Sequence, residues 1–155
     1  DISKAKSKLD QLDALFWRNS QLENEKDKIN QFRLKTLRVT SIELKGNILI
    51  AEKKYDKGIE VLKKAVEMEK DLGYSEPPYY PRPTLLSLAD AYTKKGDYEK
   101  AESCYGKILD KHPNSSMAYW GLMKIYKKMK KQDKYEGIKS KFDTITQYGD
   151  KDIFK

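Results

Sequence analysis

Residues 84–113 read TLLSLADAYTKKGDYEKAESCYGKILDKHP, and this stretch decides the fold. Apolar and small side chains recur in it at helical spacing, at Leu85, Leu88, Ala89, Tyr92, Ala101 and Tyr105. This spacing predicts two antiparallel helices, with the small Ala101 where they cross and Pro113 ending the second helix. The stretch therefore indicates a helical hairpin and not an active site.

The same pattern returns on both sides of this hairpin. Its upstream counterparts are Ile42, Gly46, Leu49, Tyr55, Gly58, Leu62 and Ala65. Its downstream counterparts are Tyr119, Leu122, Met123, Tyr126, Tyr135, Ile138, Phe142 and Ile145. Because a lone hairpin cannot bury its apolar face, we expect successive hairpins to stack into an array.

The first residues of the chain carry half of the pattern. Ala5, Leu9 and Leu12 have the spacing of a second helix, and no first helix precedes them. The sequence also starts with Asp1 rather than with Met. From these two observations we expect the sequence to begin inside a longer protein.

The tyrosines near the start of the predicted second helices indicate two insertions. Tyr55, Tyr98 and Tyr135 lie 43 and 37 residues apart, against about 34 residues in a regular array. The extra residues of the first interval fall in 73–83, where four prolines exclude a helix. The extra residues of the second interval are expected within 127–134.

The repeated pattern resembles the tetratricopeptide repeat, a helix pair that stacks on copies of itself. The segment 74–82, with its Tyr-x-Glu-Pro-Pro start and its Pro-Arg end, is also similar to the C-terminal part of a group of bacterial tetratricopeptide repeat proteins. Members of that group carry Trp after the proline pair, where this chain has Tyr79 and Tyr80, and their His-rich repeats have no counterpart here. The resemblance implies an all-α fold, a right-handed solenoid (α-α superhelix) of antiparallel helix pairs.

Spacing and resemblance together predict a single helical-repeat domain over residues 1–155. Its parts are a leading half repeat (1–22), repeat 1 with a long first helix (23–72), the proline-rich insertion (73–83), repeat 2 (84–114), repeat 3 (115–147) and a tail (148–155). We expect helices near 2–19, 24–53, 56–72, 83–95, 98–111, 115–130 and 133–147.

Composition restricts the class of protein. Charged residues make up 36% of the chain and hydrophobic residues 38%, as expected of helices with narrow apolar stripes. No apolar run approaches the roughly 18 residues that a membrane-spanning helix needs, and no signal peptide is recognisable. The compartment stays open, because we expect residues to precede Asp1.

No set of residues points to catalysis, to a metal or to a cofactor. His112 is the only histidine, and it lies beside Pro113 at a predicted helix end, where a protonated ring complements the helix dipole. Cys104 is the only cysteine, which excludes an internal disulfide. Phosphate-binding loops and serine elbows are missing from the sequence. We therefore predict that the chain is not an enzyme.

The resemblance places a partner in the concave groove that the first helices of stacked repeats line. The candidate groove residues are Asn47, Asp90, Lys94, Trp120, Lys124 and Lys127. Family members that hold a chaperone's C-terminal carboxylate use a cation where this chain has Glu43, so we do not expect that ligand. Trp120 is the candidate anchor; alternatively, it packs against the insertion.

Three residues of the insertion form a second candidate surface: Tyr79, Tyr80 and Arg82. They could make a recognition patch for a peptide. Alternatively, the prolines stiffen the connection and the tyrosines cover the core while their hydroxyls stay in water. We favour this second, structural interpretation.

The net charge of +8 suits an acidic protein or peptide, or a nucleic acid, as partner. Because no nucleic-acid motif accompanies the lysines, we interpret their densest cluster, in residues 124–134, as a solvated face. The predicted function is a non-catalytic scaffold that mediates protein-protein interaction. Two alternatives are an accessory C-terminal domain of a larger enzyme or transport-related protein, and electrostatic binding of nucleic acid.

Overall fold

The computed structural model describes residues 1–21, 28–73, 80 and 82–147. Every regular element within these ranges is an α-helix, which confirms the all-α prediction. The helices are α1 (Ile2–Gln21), α2 (Lys28–Ala51), α3 (Tyr55–Lys70), α4 (Thr84–Lys95), α5 (Tyr98–Lys111), α6 (Ser116–Lys128) and α7 (Gln132–Ile145). All seven fall where the periodicity predicts a helix, and the predicted tail (148–155) lies outside the described ranges.

The chain forms two compact units, Asp1–Ser87 and Leu88–Lys155. The boundary between the units falls inside α4, and the single helical-repeat domain over residues 1–155 stays a prediction. The first unit contains α1, α2, α3 and the first turn of α4, and the second contains the rest of α4 with α5, α6 and α7.

Glycines bring α2 and α3 of the first unit close together. A Cβ atom on Gly46 would lie 2.6 Å from Cγ of Leu62, and one on Gly58 would lie 2.6 Å from Cδ1 of Ile50. Leu62 is fully buried beside this crossing. The glycines that replace alanine in this copy of the pattern therefore allow a closer approach of the two backbones.

Helix α1 packs against α2 mainly through half-buried and polar side chains. None of its residues is buried. The Lys6 ammonium lies 2.5 Å from the Glu52 carboxylate, and the Arg38 guanidinium lies 5.3 Å from the centre of the Phe16 ring. Trp17 stays 67% exposed.

Tyr105 forms the centre of the second unit. It is completely buried on α5, and its hydroxyl donates a 2.6 Å hydrogen bond to Asp90 on α4. Its ring fills the space beside Gly121 on α6, where a Cβ atom would overlap the ring carbons. One side chain thus fixes the spacing of three helices.

The last helix closes a separate apolar cluster with α6. Tyr119, Met123 and Phe142 are its buried members, and Trp120 and Tyr135 pack against them at its edge. Helix α6 begins at a local signal, because the Ser115 side chain at its N-cap accepts a hydrogen bond from the Ala118 amide.

The turns between first and second helices correct one prediction. Lys53, Gly96 and Lys130 all have positive φ, of 62°, 90° and 56°, and each stands two residues before the next helix. Gly96 and Lys130 are 34 residues apart, so the predicted insertion within 127–134 is wrong. Tyr135 is not equivalent to Tyr98 in position, because Tyr98 is the first residue of α5 whereas Tyr135 lies three residues inside α7.

The longer connection between α3 and α4 falls where the prolines predict it, from Lys70 to Thr84. Glu69 of α3 contacts the end of this connection. The Glu69 carboxylate accepts hydrogen bonds from the Thr84 backbone amide at 2.8 Å and from the Thr84 hydroxyl at 2.5 Å. A carboxylate from α3 therefore satisfies donors at the start of α4.

Replacing Lys130 by glycine should stabilise the second unit by about 0.5–1 kcal/mol, because a side chain at positive φ costs roughly 1 kcal/mol that glycine does not. Gly96→Ala at the equivalent turn should destabilise the same unit by a similar amount. Urea unfolding followed by circular dichroism measures both values. If Lys130→Gly lowered the free energy of unfolding, the lysine would have to make a stabilising contact larger than its backbone cost.

Candidate partner-binding surface

One helix of the second unit has a side that faces solvent, which we call the α6 face. It consists of Met117, Trp120, Lys124, Lys127 and Lys128, at the three- and four-residue spacing that places side chains on one side of a helix. Most of the rest of α6 is buried. Three of the predicted groove residues therefore lie on one surface.

The α6 face changes character along its length. At its N-terminal end, Met117 is 39% exposed, and Trp120 is half-buried with its ring centre 5.9 Å from that of Phe142 on α7. At its C-terminal end, the side chains of Lys124 and Lys127 are exposed. An apolar end and a cationic end thus lie side by side.

Trp120 packs at the edge of the apolar cluster between α6 and α7. Its ring lies beside Phe142 of α7, and both interpretations of this residue from the sequence stay predictions. Phe142 holds it in place, so the indole is orientated by the fold while one part of it stays accessible. An aromatic side chain fixed in this way loses little conformational entropy when a ligand covers it.

Two other candidate residues of the second unit lie on α4. The Asp90 carboxylate accepts the Tyr105 hydrogen bond and so has a structural partner. Lys94 is exposed in the last turn of α4. Of this pair, only Lys94 has a side chain that is largely in solvent.

The basic cluster of residues 124–134 divides into two groups. Lys134 donates to the Glu102 carboxylate at 2.7 Å, Lys131 lies 4.0 Å from it, and the Tyr126 hydroxyl also donates to it, at 2.8 Å. The Lys134 ammonium lowers the pKa of Glu102 below its usual value. These two lysines help to join α5, α6 and α7, whereas Lys124 and Lys127 belong to the α6 face.

The first unit has a very different surface at the corresponding helix. Glu43 on α2 is only 8% exposed. Its carboxylate accepts hydrogen bonds from the Tyr80 hydroxyl at 2.5 Å, the Ser87 hydroxyl at 2.5 Å and the Arg82 guanidinium at 3.3 Å. Two of the three candidate residues of the insertion thus bind α2, and the third, Tyr79, lies outside the described residues.

Ser87 connects these groups into a network, which we call the Glu43 cradle (Glu43, Asn47 and Ser87). Its hydroxyl donates to Glu43 and accepts from Arg82 at 2.6 Å and from the Asn47 amide at 3.3 Å. Asn47, a predicted groove residue, is therefore used within the chain. Burial, and then the Glu43 carboxylate, raise the pKa of Tyr80, so its hydroxyl stays a donor at physiological pH.

Sequence reasoning missed the role of Glu43. It treated the carboxylate as a group that would repel a ligand, whereas Arg82 of the same chain lies against it. The two residues are 39 positions apart, and no local pattern relates them. Their opposite charge was the only available signal.

The described ranges contain no cluster of side chains that could hold a metal ion. Cys104 is buried and forms no disulfide, and burial raises the pKa of its thiol, which lowers its reactivity. Among the described helices, none is both long enough and apolar enough to cross a membrane.

Comparison with known families agrees with the helix pairs. The model of the tetratricopeptide repeat family matches residues 49–125, from the end of α2 into α6. Residues 49–125 therefore belong to the tetratricopeptide repeat family, and the family predicted from the spacing is confirmed. Repeats of this family generally mediate protein-protein interaction and generally act as non-catalytic scaffolds. The likeness to bacterial proteins with a Tyr-x-Glu-Pro-Pro segment stays a prediction.

Neither a curated protein nor a solved structure matches the chain.

Proposed function

We propose that this protein is a non-catalytic scaffold whose α6 face binds an acidic peptide segment of a partner protein. The observation that carries the proposal is the arrangement of the half-buried Trp120 and the exposed Lys124 and Lys127 along one side of α6. An aromatic anchor beside two ammonium groups fits a segment with an apolar residue followed by carboxylates. Lys94 on α4 extends the positive charge of the same unit.

The chemistry of the α6 face favours a peptide over a rigid phosphate backbone. Its cations are lysines, whose side chains are flexible. The side chains at its other end, Met117 and Trp120, are largely apolar and do not favour contact with a phosphate. The segment would lie along α6, with its apolar side chain over Trp120 and its carboxylates near the C-terminal turn. This orientation places negative charges beside the lysines without burying any of them.

Reversing the charge of the C-terminal end should weaken peptide binding about tenfold, a change of about 1.4 kcal/mol. The experiment first selects peptides from a random dodecapeptide library on the wild-type protein. It then measures binding of the best peptide to Lys124→Glu/Lys127→Glu by fluorescence anisotropy. The matched control is Lys139→Glu/Lys141→Glu, which makes the same charge change at exposed positions of α7.

Three outcomes separate the interpretations of that experiment. Loss of binding in the first variant alone, for peptides rich in acidic residues, supports the α6 face. Equal losses of peptide binding in both variants would show that only the net charge of the protein matters. Unchanged binding in both variants would show that the peptide binds outside the α6 face. As a second arm, Trp120→Ala should also weaken binding, whereas Trp17→Ala, at an exposed site on α1, should not.

A further inference from the structure

Helices α2 and α6, the first helices of repeats 1 and 3, differ in the side chains that lie against them. By the repeat spacing, Glu43 and Asn47 on α2 correspond to Trp120 and Lys124 on α6. On α2 these positions form the Glu43 cradle, which holds Tyr80 and Arg82 of the insertion. Tyr80 and Arg82 thus contact α2 at a position that, on α6, is occupied by Trp120.

The contacts in the cradle are those of a receptor with its ligand. A nearly buried carboxylate faces a guanidinium and a phenol, and the Ser87 hydroxyl donates to one and accepts from the other. Every polar group in this arrangement has a partner of complementary chemistry. The arrangement specifies a segment that presents tyrosine and arginine two residues apart.

The ligand side of the network remains partly accessible. The Arg82 side chain is 44% exposed, against 10% for Glu43. Charge-assisted hydrogen bonds at such an edge can be exchanged for equivalent bonds from another molecule without opening the packing of α2 against α3. The connection from α3 holds Tyr80 and Arg82 at a high effective concentration, on the order of millimolar for a short tether.

We propose that the Glu43 cradle is a binding site for a Tyr-x-Arg segment. Within the chain Tyr80 and Arg82 fill this site, and a partner's segment of the same chemistry fills it when these two side chains are displaced. The site belongs to the first unit and is independent of the α6 face. Failure of one proposal therefore leaves the other standing.

The test removes the internal ligand and supplies it as a separate peptide. The probe is a fluorescein-labelled peptide with the sequence of residues 80–83, Tyr-Pro-Arg-Pro. It should bind Tyr80→Ala/Arg82→Ala at least tenfold more tightly than the wild type, because the wild-type cradle is already filled. A control peptide with glutamine in place of arginine should bind neither protein.

The proposal requires that the Glu43 carboxylate be responsible for binding of the peptide. Adding Glu43→Gln to the Tyr80→Ala/Arg82→Ala variant should reduce peptide binding at least tenfold, with the helical circular dichroism signal unchanged. Equal binding with and without the Glu43 carboxylate would overturn the proposal, as would a folded double variant that binds no probe.

A second variant covers the case in which the double variant does not fold. Arg82→Ala alone keeps the Tyr80 hydroxyl on Glu43 and so leaves the buried carboxylate with two donors. It should bind the same peptide more tightly than the wild type. If neither variant folded, the cradle could not exist without its internal ligand, and the proposal would be wrong.

Discussion

Gly121→Ala should destabilise the second unit by about 2–3 kcal/mol and lower its melting temperature by roughly 10 °C or more. The added methyl group would overlap the ring of Tyr105. That ring cannot move aside easily, because it is completely buried and its hydroxyl is bonded to Asp90. The cost of this overlap outweighs the stabilisation of up to about 1 kcal/mol that replacing glycine by alanine normally brings to a helix. Thermal and urea unfolding measure the change.

Gly106→Ala provides the matched control for this substitution. Gly106 is also helical, but a Cβ atom there would meet nothing within 4 Å. The same chemical change should therefore stabilise the unit by about 0.5–1 kcal/mol. Two substitutions of one type, in neighbouring helices, are thus expected to have opposite signs. Equal effects at the two sites would show that Tyr105 does not pack against Gly121 in solution.

Ser87→Ala should destabilise the first unit by about 2 kcal/mol, although it removes a single oxygen atom. The Ser87 side chain is 2% exposed, and its hydroxyl bonds to Glu43, Arg82 and Asn47. Its loss leaves a nearly buried carboxylate with one donor fewer, and hydrogen bonds to charged groups contribute about 1.5–3 kcal/mol each. Urea unfolding of the first unit measures the effect.

The exposed Ser7 on α1 supplies the control for this substitution. Ser7→Ala should change the free energy of unfolding by less than about 0.5 kcal/mol. In a Glu43→Ala background, Ser87→Ala should cost at least about 1 kcal/mol less than in the wild type, because the shared hydrogen bond is already gone. Additive effects of the two substitutions would contradict the direct contact between these residues.

The helices were predictable because their signals are local. Each has apolar residues at a spacing of three and four, and α4 and α5 end near residues with a distinct backbone preference, Gly96 and Pro113. The register of the third repeat was not predictable in the same way. Tyr135 and Tyr98 look alike in sequence, but only the turn at Lys130 shows which residue opens α7.

The candidate surfaces were predictable only in part. Trp120, Lys124 and Lys127 lie on one side of α6, as the repeat spacing places them, because positions on a single helix follow from its geometry. Their use as a groove stays a prediction. The spacing did not indicate that the ring of Trp120 packs on Phe142 of the next helix. Nor did it indicate that Asn47 and Asp90 bind side chains of their own chain.

The sequence by itself determined the family, the helices and the site of the proline-rich connection, since hydrophobic period and backbone restriction act over a few residues. Only the tertiary structure decided that Arg82 and Tyr80 neutralise and cover Glu43 while the lysines of α6 remain in solvent. The reason is that hydrogen bonds and ion pairs between residues about 40 positions apart depend on how the helices pack. No local pattern of residues encodes that packing.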